Sequence, residues 1–259
     1  MIYIMAHKAF EAPELPDYVP LQVGAALNGD LGMLRDDKGD NISAKNPYYC
    51  ELTGLYWIWK NRDDAVKGLA HYRRYLTRSR LTGSYAGVIP FDRLVHRLGK
   101  ADIILPQYMY HCRKTIGSQL VPRYCAERYF DELRGIFAER YSEFLPEFEA
   151  VFSDKRCCFT NMMVARREVF DEYCAWLFDI LFELETRIKE KWPQDDPLRL
   201  YGYISERLLN VYVRHKRLRA AFYPMMTVGT SGRERLLGVR RYWMNHLRYY
   251  RWKYFQRNQ

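Results

Sequence analysis

The segment from Val66 to Tyr75, VKGLAHYRRY, is the strongest constraint on how this chain folds. A short apolar run ends abruptly at His71, Arg73 and Arg74, with Tyr72 and Tyr75 among them. A buried strand that stops at a polar cluster marks the carboxyl edge of an open α/β sheet, where ligands dock. The cluster is cationic, so the expected ligand is anionic. Further strands are predicted at Ile2 to Ala6, Ala86 to Ile89, Asp102 to Leu105 and Phe159 to Ala165. Helices are predicted between them. Asn46 followed by Pro47 reads as an N-cap and first helical residue, and Leu52, Leu55, Tyr56 and Trp59 follow at helical spacing. Others are expected over about 124–137, 167–191 and 204–216. Such alternation predicts an α/β fold with helices on both faces of the sheet.

Composition supports a core of some size. Of the 259 residues, 48% are hydrophobic and 16% aromatic, enough for one large or two small domains. No apolar run approaches the roughly 18–20 residues that span a bilayer, and MIYIMAHKAF lacks the pattern of a secretory signal, so a cytoplasmic location is expected. Cys50, Cys112, Cys125, Cys157, Cys158 and Cys174 form no CxxC pair and read as reduced core thiols.

Charge divides the chain in two at about residue 231. From Gly232 to Gln259 there are eight Lys or Arg and one acid, Glu234, which places +7 of the net +10 in that tail. Its basic residues alternate with Tyr242, Trp243, Tyr249, Tyr250, Trp252, Tyr254 and Phe255. An amphipathic helix on an anionic membrane surface suits this pattern, through residues 233–259. Single-stranded nucleic acid would suit it too, although no nucleic acid is expected as partner, and a terminal helix packed on the body is the plainer alternative.

Six blocks of the sequence resemble a bacterial family of capsular and exopolysaccharide biosynthesis proteins, carried under a domain-of-unknown-function label and assigned to glycosyltransferases. The blocks are QVGAALN (22–28), GDNISAKNPYYCELTGLYWIWKN (39–61), GLAHYRRYL (68–76), ADIILP (101–106), NMMVARREVFDEYCAWLFDIL (161–181) and YGYISERLLNVYV (201–213). They span nearly everything except the tail. The resemblance implies a GT-A-like, Rossmann-like fold with a central mixed sheet over residues 1–231. It also implies transfer of a hexose, often galactose as pyranose or furanose, from a UDP-sugar to a lipid-linked oligosaccharide at the inner membrane face. A non-catalytic scaffold of polysaccharide assembly is the other reading.

GT-A enzymes usually hold a divalent metal with an Asp-x-Asp after a central strand. Here that place falls to His71, Tyr72, Arg73 and Arg74. Guanidinium forks neutralise phosphate oxygens without a metal, so Arg73 and Arg74, with His71, are expected on the diphosphate, and no obligatory cofactor is expected. Alternating residues point to opposite faces, so the alternative is that only one arginine reaches the ligand. Mn or Mg remains an alternative through Asp36, Asp37 and Asp40 or through Asp195 and Asp196, carboxylates that otherwise read as turn residues.

His7 and Lys8, at the end of the first strand, fall on the same sheet edge, with Lys8 a candidate for phosphate. Gln22, Asn28 and Asp30 are candidates for the uracil or ribose, or else cap backbone groups. The family block adds Asn41, Ser43 and Asn46 on the donor side. Asn161 reads as a substrate ligand or a satisfied core amide. Glu206 is the candidate base for deprotonating an acceptor hydroxyl, placed by YGYISERLLN in the first turn of a helix, where it would also favour the helix dipole. Trp57, Trp59, Trp176 and Trp192 read as sugar-stacking or core residues.

Overall fold

A computed structural model describes residues 1–111 and 113–257. The chain enters through β1 (Ile2–Ala6), β2 (Tyr18–Gln22) and β3 (Leu34–Arg35), then α1 (Asn46–Tyr49), α2 (Leu52–Asn61), β4 (Val66–His71) and β5 (Arg74–Leu76). Next come α3 (Phe91–Arg97), β6 (Ile103–Pro106), β7 (Met109–Tyr110), α4 (Ile116–Leu120), α5 (Glu127–Arg140) and α6 (Leu145–Ser153). It closes with β8 (Arg156–Cys157), β9 (Val164–Arg166), α7 (Arg167–Lys191), α8 (Leu200–His215), β10 (Ala220–Tyr223), β11 (Met225–Thr227) and α9 (Gly232–Arg257).

The sheet is mixed, in the order β10-β6-β9-β4-β1-β2-β3, with β5 and β11 attached at the end of β4. β1 runs parallel to β2 and β4, with Met5 opposite His71, so the carboxyl ends of β1 and β4 lie side by side. β9 is antiparallel to both β4 and β6. Side chains alternate across the sheet as a pleated strand requires. Tyr3, Met5 and Leu69 enter the larger core under α2 and α5–α8, whereas Ile2, Ile4 and Ala70 enter a smaller one with α3, Tyr75 and Met226. Helices therefore cover both faces, unequally.

Lys67 interrupts the apolar face of β4. It is fully buried, and its Nζ donates to Asp171 of α7 at 2.7 Å, which fastens the longest core helix to the central strand. An ion left unpaired at such depth is costly.

Several predicted boundaries move. The stretch at 86–89 is not a strand: Tyr85–Gly87 is a single 3-10 turn, and only Val88 bridges to Thr77. The strand expected at 159–165 begins at Val164, because Thr160 and Asn161 have positive φ and cannot lie in a ladder. The helix expected from Asn46 breaks at Cys50, whose φ is 53°. Asn46 sits inside the first turn instead of capping it, and its Nδ2 donates to the Cys50 carbonyl and Thr53 Oγ1. Cys50, Cys125, Cys157, Cys158 and Cys174 are free thiols, all but Cys50 buried, and Cys112 lies outside the described residues. Trp57 and Trp176 are core side chains, and the half-buried Trp59 stacks on Phe178.

Candidate functional site

A cleft of about 800 Å³ opens beyond the carboxyl ends of β1 and β4. Its sheet side carries His7 and His71, and the turn from β4 to β5 adds Tyr72, Arg73 and Arg74. Its helical side carries Asn46, Cys50 and Glu51 from the α1–α2 junction and Arg199, Tyr203 and Glu206 from the start of α8. The two arginines reach the cleft together because the turn is tight, with His71 paired directly to Arg74, and the Arg73 carbonyl accepts from Val228 N at 2.8 Å. Both are exposed, and among the described residues neither has an ion-pair partner.

Glu206 faces them from α8. It lies in the second turn, not the first, so proximity to the helix N-terminus does not explain it. Oε1 accepts from Thr160 N at 3.0 Å, and Oε2 pairs with the buried Arg207 at 2.7 Å. Arg207 is in turn held by the Tyr203 carbonyl and Gln119. Burial, reinforced by the Glu51 charge and opposed by Arg207 and Arg74, raises the Glu206 carboxyl to about 6. A carboxylate so placed is ionised at neutral pH yet basic enough to accept a proton.

The dipeptide Thr160–Asn161 organises the interior side of the cleft. While its N–H holds Glu206, the Thr160 carbonyl accepts from His71 Nε2 at 2.6 Å, which fixes the proton on Nε2 and leaves Nδ1 as the accepting nitrogen when the ring is neutral. Asn161 Nδ2 donates to Glu51 Oε1 at 2.9 Å, and its own Oδ1 is buried without a partner. The φ angles are 87° and 53°, strained for non-glycine residues and most of all for a β-branched threonine. Cys50 and Arg199, which line the cleft, share this feature, so four of the six positive-φ non-glycine residues among those described lie in or directly behind its walls. Backbone strain of this kind collects where function fixes a geometry.

Glycine at residue 202 eases the close approach of α8 to Cys50. A Cβ there would sit 3.1 Å from Cys50 Sγ and 3.2 Å from its Cβ. The cleft's cationic field shows at His7, whose pKa is lowered by burial and by the charges of Lys8, Arg73 and Arg199.

The expected residues divide. His7, Asn46, His71, Arg73, Arg74 and Glu206 line the cleft, and Lys8 stands beside it with its ammonium over the Tyr72 ring at 5.6 Å. Asn161 lies behind the wall as a support for Glu51. Four expected donor-side residues are outside the lining because their polar groups serve the 22–43 loops. Gln22 is fully buried, donating to the Gly29 carbonyl and accepting from Leu31 N. Asn28 donates to the Gly24 carbonyl, Asn41 bridges Gly39 and Ser43, and the Ser43 hydroxyl pairs with Asp36. Glu51, Arg199 and Tyr203 are cleft residues that sequence reasoning missed. Glu51 stood inside a recognised block, but nothing in its neighbours distinguished it from a solvated helix-start acid.

The loop carboxylates considered for a metal are committed elsewhere. Asp36 accepts from Gly24 N and Ala25 N, Asp37 pairs with Arg35, Asp40 accepts from Tyr56, and Asp195 is held by Arg128 and Tyr129. Among the described residues no three His, Cys, Asp or Glu gather as a metal-binding group. None of these loop carboxylates lines the cleft.

The structure resembles the apo structure of WbbM, a bifunctional glycosyltransferase, with a TM-score of 0.79 and 28% sequence identity. The match covers 88% of this chain but 45% of that one, so this chain spans about half of its neighbour. No curated protein matches the sequence. The family profile described as domain of unknown function (DUF4422) matches residues 1–217, which takes in every residue of the cleft except Thr227, and the chain therefore belongs to the DUF4422 family.

Proposed function

We propose that the cleft transfers a hexose from a nucleoside diphosphate sugar to a hydroxyl of a lipid-linked oligosaccharide. The observation that carries this reading is the opposition of Arg73 and Arg74 to Glu206 across one cleft. Guanidinium groups neutralise the departing diphosphate, and a carboxylate with a raised pKa removes the acceptor proton as the new bond forms. Lys8 adds positive potential beside Arg73 and Arg74, Arg199 adds it from the helical wall, and Tyr72 and Tyr203 line the cleft where a base or sugar would pack. No metal is needed to offset the diphosphate charge in this arrangement. The likeness to a bifunctional glycosyltransferase supports the reaction class. The resemblance to capsule-assembly proteins supports UDP as the carrier, galactose in pyranose or furanose form as the sugar, and work at the cytoplasmic face of the membrane.

The test is release of UDP from a panel of UDP-hexoses with a lipid-linked acceptor. Acceptor-dependent release that is lost in Glu206→Gln supports the proposal. No turnover of any nucleotide sugar contradicts it.

A further inference from the structure

Helix α9 is packed on one side and largely exposed on the other. Tyr249 is 3% exposed, donates to Asp154 Oδ2 at 3.0 Å and packs with Tyr242 and His246 around Tyr110. Arg80 lies 3.3 Å over the Tyr242 ring, adding a second attachment. On the far side, Leu236, Trp243, Leu247 and Tyr254 recur at helical spacing, with Tyr250 at the edge of the row next to the body, all between 47% and 70% exposed. Leu237, Met244 and Phe255 widen that stripe, so α9 holds eight of the fourteen large apolar side chains exposed among the described residues. A patch of that kind marks an interaction surface.

We infer that this face of α9 lies on an anionic lipid leaflet. Arg233, Arg240 and Arg251 fall within the stripe itself, at the same three- and four-residue spacing, and all are exposed. The one acid of the helix, Glu234, is spent at its N-terminus: its carboxylate accepts from Ser231 N and the Ser231 hydroxyl accepts from Glu234 N, a capping box. A protein groove would need acids to answer arginines placed among leucines and tryptophan, whereas anionic headgroups answer them at the depth where tryptophan and tyrosine also settle. No helix among the described residues is long and apolar enough to cross a membrane, so α9 lies in the surface plane.

A hollow of about 400 Å³ adjoins the helix and adds headgroup sites. Arg156 forms the shared wall, donating to Tyr250 Oη at 3.4 Å and resting 4.6 Å from the Tyr108 ring. Arg214 and Arg217 line the same hollow and have no ion-pair partner among the described residues. Its acid, Asp154, is engaged by Tyr249, Arg156 and Lys253. The consequence for the cleft is positional. Thr227 lines it and α9 starts at Gly232, so the lipid-facing helix is tethered at the cleft's rim. The inference deepens the reading of a transferase that meets a lipid-linked acceptor.

Sedimentation of the full chain with phosphatidylcholine vesicles, with and without 30 mol% phosphatidylglycerol, tests it, the lipid fraction being about what gives a surface potential of physiological size. Binding is expected on the anionic vesicles, falling with salt. Trp243→Glu with Leu247→Glu should weaken it at least about tenfold, since each removes one large buried apolar contact. Arg214→Glu with Arg217→Glu should weaken it roughly fivefold or more by the usual worth of a basic residue near a charged surface. Equal binding to neutral vesicles, binding unaffected by the Trp243 and Leu247 changes, preferential capture by single-stranded DNA, or a dimer in solution that those changes abolish would each overturn it. Vesicle binding without turnover of any nucleotide sugar would uphold the lipid surface and remove the cleft reading alone.

Discussion

The backbone N–H of Thr160 donates to Glu206 at 3.0 Å from a residue whose φ is 87°. Its carbonyl meanwhile anchors His71, and the next residue anchors Glu51. One strained dipeptide thus sets the positions of a carboxylate, an imidazole and a second carboxylate that come from three distant parts of the chain. Glu206 is held by backbone and by a buried arginine, so its oxygens are positioned before substrate arrives.

Glu206→Gln is expected to fold and to lose turnover by a factor on the order of 100 or more, the scale of general-base removal. As a base, Glu206 works only when ionised, so the wild-type rate should rise with pH through about 6 and then level. The glutamine variant should lack that acidic limb. Steady-state UDP release from pH 4.5 to 8 reads both.

The cleft charges tune that limb in opposite directions. Arg74 lowers the Glu206 pKa and Glu51 raises it, so Arg74→Ala should move the limb to higher pH and Glu51→Gln to lower pH. Arg73 is not among the leading influences on Glu206, and Arg73→Ala should move the limb less than Arg74→Ala does. Both arginine variants should still weaken transfer by roughly 10- to 150-fold, the worth of a charged hydrogen bond. The pH dependence of kcat/KM separates these effects.

Chelation should leave activity intact. With the loop carboxylates bound to backbone and arginine partners, UDP release in excess EDTA is expected to match that in added manganese or magnesium. Restoration of a chelated, inactive protein by either ion would return the diphosphate to a metal.

Gly202→Ala should destabilise the protein by about 1–3 kcal/mol despite the better helix propensity of alanine, because the added carbon meets Cys50 at 3.1 Å. Asp171→Ala should cost about 3 kcal/mol by leaving Lys67 charged and buried, and Lys67→Met should cost less. Urea denaturation followed by circular dichroism measures all three.

The sequence made β4 and its cationic end legible because the physics is local: an apolar strand cannot continue into His-Tyr-Arg-Arg without leaving the core. α7 was legible over its whole length, Arg167–Lys191, because a long buried helix repeats its pattern many times. The short strands β5 and β11 gave no such signal, since three residues pair only because tertiary packing brings them together. The surroundings of Gln22, Asn41 and Ser43 were not legible for a related reason. Polar residue type shows that a hydrogen bond will form, and gives no indication whether the partner is a ligand or the loop's own backbone. Glu51 and Arg199 meet at the cleft through the contact of α8 with the α1–α2 junction at Gly202, a relationship of residues 148 positions apart in sequence that no local pattern encodes.

The most direct measurement is UDP release from UDP-hexoses, with and without a lipid-linked acceptor, by the wild type and by Glu206→Gln at pH 7.5. Acceptor-stimulated release by the wild type, reduced on the order of 100-fold or more in the variant, is the predicted result. Equal rates in the two proteins, or none in the wild type with any hexose donor, would contradict the account.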